Sequence, residues 1–153
     1  MENIKIMIRQ KPRIFIYITA GYLLLVGLLR WATAPSLDAL WFFVGGAIGL
    51  FFLDAAEVFF ALSPSPFRSI VFGTLFAVVA FFVVTSSTGT IGSGLVLSVF
   101  LQMLLWQTGE YRVHGNINSW FRMVADPVPP PTQRTILIIA AIIFIIESYL
   151  FIR

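Results

Sequence analysis

Long apolar runs separated by short polar breaks organise this chain. Five runs, at approximately residues 13–34, 37–62, 67–86, 90–109 and 134–153, match the ~20 residues a helix needs to cross a hydrocarbon core of about 30 Å. Pro12, Pro35, Pro64, Pro66, Pro127 and Pro129 to Pro131 all fall in the breaks or at their edges. Proline has no N–H for a helix ladder, so this punctuation supports the hydropathy independently. The pattern predicts an all-α, polytopic membrane protein with five transmembrane helices, in a single integral membrane domain covering residues 1–153.

The longest break, residues 110–134, lies between spans 4 and 5. In "INSWFRMVA", Ile117, Trp120, Phe121 and Val124 recur at helical spacing. This predicts a short interfacial helix in the headgroup region, followed by a stiff extended segment, "DPVPPPT". Trp120, Phe121 and Arg122 are the candidate residues for docking a partner; otherwise the segment is an anchored connector.

Charge orients the bundle. Lys5, Arg9, Lys11 and Arg13 precede span 1, Arg68 follows span 2, and Arg112, Arg122 and Arg134 lie between spans 4 and 5. Placing the N-terminus inside collects these eight basic residues on the cytoplasmic side and leaves Arg30 and Arg153 outside. The positive-inside rule therefore predicts N-in, C-out in the cell (cytoplasmic) membrane. A basic start, an apolar run and "ATA" at 32–34 also resemble a cleavable leader. Arg30 before that site and Pro35 after it predict that span 1 is retained.

Composition narrows the chemistry. Of 153 residues, 59% are hydrophobic and 11% charged, more apolar surface than a water-soluble domain of this size can hide. The lipid bilayer is therefore the first partner, and the net charge of +3 reads as topology, with no nucleic-acid role. Absence of cysteine removes thiolate metal sites, iron–sulfur clusters and cysteine nucleophiles. Ser93 and the single histidine, His114, stand at opposite ends of span 4, about 31 Å apart at 1.5 Å per residue, too far for a hydrolytic dyad. No catalytic residue, metal site or cofactor is expected, and the chain is read as a non-enzyme.

The exception to the apolar pattern is "FFLDAAEVFF", residues 51–60, which carries Asp54 and Glu57 inside span 2. At 100° per residue both acids share an arc of about 100° with Gly46, Leu50, Leu53 and Ala61, a face suited to close packing against protein. Two ionised carboxylates at i, i+3 would sit ~6 Å apart and repel by ~2.8 kcal/mol at an effective dielectric of 20. The pair therefore requires a bound proton or a compensating cation. Arg68 and Arg112 are the candidate structural partners for Glu57.

Intramembrane acids commonly mark ion pathways. Gln102 in span 4 is expected at the depth of Asp54, where its amide can both donate to and accept from a carboxyl. Glu147 in span 5 is expected either to bridge to Arg30 or to face the same interior. In the latter case Glu57, Asp54, Gln102 and Glu147 form a ladder of pathway candidates. Two functions remain open at this point: a proton or cation pathway through buried carboxylates, or a non-transporting accessory or assembly subunit whose acids are interhelical bonds. Small-residue faces on spans 2, 3 and 4 favour tight packing of the bundle, and a homo-oligomer or a larger membrane complex is expected, in which the buried acids line a shared interface or pore.

Overall fold

The computed structural model describes residues 11–62, 65–86, 89–124 and 126–153; Lys5 and Arg9, which contribute to the charge asymmetry, lie outside them. The described residues form five α-helices: α1 (Arg13–Thr33), α2 (Asp38–Phe59), α3 (Ile70–Thr85), α4 (Thr90–His114) and α5 (Pro130–Ile152). A single 3-10 turn, Asn118–Phe121, follows α4. Helices α1, α2, α4 and α5 are long and apolar enough to cross a bilayer. Helix α3 is apolar but has 16 residues, about 24 Å at 1.5 Å per residue.

Local chemistry sets the boundaries. Ser69 caps α3, its hydroxyl accepting from the Phe72 N–H at 3.2 Å. Helix α4 runs past its apolar stretch to His114 and ends where Gly115 takes a left-handed φ of 69°, the conformation glycine adopts without steric cost. Helix α5 starts earlier than hydropathy predicts. Pro130 and Pro131 occupy its first positions, where a missing N–H costs nothing.

Helix α4 is the centre of the bundle. In its most apolar stretch 67% of residues are buried, against 33% or less for the other three long helices. Helices α2, α1, α5 and α3 wrap around it in that order. The tightest seam joins α2 to α4, as the small-residue faces predict. A Cβ on Gly45 would collide with the Ile91 carbonyl oxygen, and one on Gly94 with the Phe42 carbonyl oxygen. Outward faces carry Leu24, Leu28, Leu75, Phe82, Ile138 and Ile145, all exposed, an apolar coat suited to lipid rather than water.

Where a short helix is expected after α4, residues Asn118–Phe121 form the 3-10 turn. Ile117 (0% exposed), Trp120 (1%) and Phe121 (8%) turn inward and pack with Leu53, Val99 and Met103. Two polar side chains hold them there. Gln133 accepts from the Ile117 N–H at 2.7 Å and donates to Asn118 Oδ1 at 2.6 Å and the Val128 carbonyl at 2.7 Å. Glu110 accepts from the Ser119 hydroxyl at 2.6 Å and from Trp120 Nε1 at 3.1 Å. Burying three large apolar side chains outweighs laying a one-turn helix on the membrane surface. Trp120 and Phe121 therefore pack in the core of this chain, while Arg122 stays exposed.

Candidate functional site

The polar side chains of the bundle gather at three levels. The first lies at the end that carries the 3-10 turn Asn118–Phe121. Lys11 Nζ stands 2.6 Å from Asp54 Oδ2 and also donates to the Leu50 carbonyl oxygen. Arg68 grips Glu57 through two bonds, Nε to Oε1 and Nη2 to Oε2, each 2.7 Å. Its Nη2 lies 3.8 Å from Asp54 Oδ1, and its guanidinium carbon sits 4.3 Å from the centre of the Trp106 ring. Two cations thus balance two acids, which answers how the apolar run tolerates Asp54 and Glu57.

Geometry explains the choice of partners. Arg68 stands just before α3, so the short turn from α2 brings it back beside Glu57. Arg112 is exposed and makes no ion pair among the described residues. Lys11 precedes α1, buried at 4% exposure. Burial pushes its amine below the ordinary lysine value of 10.5, with the Asp54 hydrogen bond and charge opposing that shift. Sequence reasoning assigned Lys11 to topology alone. No spacing rule connects residues 11 and 54; only helix packing brings them together.

The second level is the middle of the bundle. Gln102, 1% exposed, donates from Nε2 to Thr19 Oγ1 at 2.6 Å. Its amide is therefore engaged with α1 rather than with Asp54, whose neighbours are Lys11 and Arg68. Gln102 Oε1 and Ser98 Oγ, one turn apart on α4, are buried without a hydrogen-bond partner among the described residues.

The third level lies toward the opposite end. Ser148 donates to the Phe144 carbonyl at 2.8 Å and pairs with the Tyr22 hydroxyl at 2.7 Å. Beside it on α5, Glu147 is 1% exposed, and both carboxyl oxygens lack a partner among the described residues. The expected Arg30–Glu147 bridge does not form. Arg30 reaches the Ile152 carbonyl at 3.4 Å and lies 5.6 Å from the Phe151 ring centre. Those positions are more than a helical turn beyond Glu147.

Glu147 also lines a groove of about 460 Å³ between α3, α4 and α5, together with Gly73, Ala77, Met103 and Gln107. A smaller cleft of about 330 Å³ at the first level contains Ser65, Arg68, Ser119 and Arg122. Ser93 and His114 occupy the first and last turns of the one continuous helix α4, so they do not meet within the chain.

Of the ladder expected from sequence, Asp54 and Glu57 join one charged network, Gln102 stands in a separate cluster, and Glu147 stands apart from both. Thr19, Tyr22 and Ser148 were missed. Hydroxyls on apolar helices carry no sequence signal until a neighbour is known, because each can also bond its own preceding turn.

Four long apolar helices around a largely buried core define the class, a multi-pass helical membrane protein. Comparisons with protein-family models, curated proteins and solved structures give no match.

Proposed function

We propose that this chain provides a proton or cation pathway across the cytoplasmic membrane, with Glu147 as the group that takes up and releases the ion. In this reading all five helices span the bilayer, N-in and C-out. The Lys11–Asp54–Arg68–Glu57 network closes the inner end, and Gln102 with Ser98 supplies polar stations between that closure and Glu147. The observation that carries the reading is Glu147 itself: 1% exposed, with both oxygens unpartnered among the described residues. A carboxyl at membrane depth without a donor is costly, and a bound proton or cation relieves that cost. Asp54 and Glu57 are less suited to the leading role, because each already faces a cation.

Purified protein in liposomes under a pH gradient, with and without alkali cations, tests this. Wild type conducts above empty liposomes, and Glu147→Gln falls to the empty-liposome rate while keeping its helical circular dichroism. Equal flux in wild type and Glu147→Gln removes Glu147 from the pathway.

A second reading, an accessory or assembly subunit, is favoured by the mutual compensation of the four charges at the inner end. There the acids are interhelical bonds. A partner, or a second copy in a homo-oligomer, would meet the exposed stretch Arg122–Val124 rather than the buried Trp120 and Phe121. A stoichiometric partner recovered with wild type and lost with Arg122→Glu supports it; a protein that purifies alone counts against it.

A further inference from the structure

The groove between α3, α4 and α5 has a chemistry of its own. Its volume, about 460 Å³, falls within the roughly 300–1,000 Å³ of small-molecule sites. Gly73, Ala77 and Ala140 keep its walls apart. Along α5 it extends from Ile136 to Glu147, about 16 Å at 1.5 Å per residue. The groove is therefore long, lined with hydrocarbon, and bears a carboxyl at one end.

We infer that this groove binds a lipophilic amine, with the ammonium group at Glu147 and the alkyl chain running toward Gln107. The inference rests on the same reading of Glu147 as an unpaired group at membrane depth. A neutral chain would fill the groove but leave both carboxyl oxygens without a donor, at the cost of unmade buried hydrogen bonds. An anionic chain would add repulsion. An ammonium brings three donors and the opposite charge. A second copy of the chain is a poor occupant. The Arg residues of its long helices, Arg13, Arg30, Arg112 and Arg134, all stand within five residues of a helix end, and Arg30 is engaged at the Ile152 carbonyl. Entry needs no aqueous path, since α3 and α5 expose apolar faces on either side of the groove, Val78 and Phe82 on one and Ile139 on the other.

The test is native mass spectrometry of the full chain, released from phosphatidylcholine nanodiscs and titrated with dodecylamine or dodecanol. Wild type takes up one dodecylamine per chain, at least ten-fold more tightly than dodecanol. Glu147→Gln weakens the amine at least ten-fold and leaves dodecanol unchanged. Ala77→Phe and Ala140→Phe, each checked for a wild-type melting profile, fill the groove and block both probes.

Equal binding of amine and alcohol, or amine binding unaffected by Glu147→Gln, overturns the inference and leaves a lipid-chain slot. Proton flux that depends on Glu147 without amine binding refutes this inference alone. Amine binding that depends on Glu147, in a protein that conducts nothing, refutes the pathway reading alone.

Discussion

Arg68 holds Glu57 by two parallel bonds of 2.7 Å, and the same guanidinium lies 3.8 Å from Asp54. One side chain at the α2–α3 turn thus faces both acids of α2. Planarity explains the choice of residue: the guanidinium fork matches a carboxylate while its face rests on Trp106.

The first prediction follows from that fork. Arg68→Met leaves Glu57 without a partner and Asp54 with Lys11 alone. The Arg68 side chain is 35% exposed, so the loss lies between that of surface and fully buried pairs, about 1–3 kcal/mol. The double variant Arg68→Met/Glu57→Leu loses less than the two single variants summed, because it removes both charges. Thermal unfolding in detergent micelles measures the cycle; strict additivity would show that the bond contributes nothing.

Lys11 yields a prediction in pH. Its native value is lowered by burial, so between that value and 10.5 the unfolded chain holds more protons than the native one. Stability therefore rises with pH across this window. The contribution is complete above 10.5 and is lost as pH falls through the lowered native value. Lys11→Met has no such group. Melting temperatures taken from pH 8 to 10.5 rise more steeply for wild type than for Lys11→Met; parallel profiles would show that the Asp54 interactions cancel the effect of burial on the Lys11 amine.

The α2–α4 seam admits no added carbon. Gly45→Ala and Gly94→Ala each drive a methyl into a backbone carbonyl of the facing helix, which cannot retreat as a flexible side chain would. Each is expected to cost about 1–3 kcal/mol or more through overpacking. Gly21, on α1, has nothing within 4 Å of an added Cβ, so Gly21→Ala is neutral or slightly stabilising. Unfolding of the three variants side by side separates packing from helix propensity, and a destabilised Gly21→Ala would contradict the seam argument.

Gln133 fastens Ile117, Asn118 and Val128. Gln133→Ala removes three hydrogen bonds and leaves the buried Ile117 N–H without a partner, a loss of about 1–3 kcal/mol concentrated in that segment. Hydrogen exchange of residues 116–124 accelerates, while the centre of α4 stays protected. Gln133→Glu keeps the acceptor for Ile117 but sets a buried carboxylate oxygen against Asn118 Oδ1 and the Val128 carbonyl, so it is at least as destabilising as alanine. Exchange that rises equally along the whole chain would assign Gln133 a global rather than a local role.

Period and punctuation in the chain, with no structure, determined that it is helical, where its apolar helices lie to within a few residues, and that spans 2, 3 and 4 carry small-residue faces. Those features are local, since each depends on a run of neighbours, a proline or a glycine. Hydropathy also located Asp54, Glu57, Gln102 and Glu147, because a polar side chain stands out in an apolar run. Their partners were another matter. Lys11 meets Asp54 across 43 residues and Gln102 meets Thr19 across 83, and nothing local encodes such pairs. Tertiary packing decided which acids find a cation and which does not, and it drew Trp120 and Phe121 inward. The physical reason is that a side chain's charge partner and its burial are set by the rotation and contact of whole helices, which are properties of the assembled bundle.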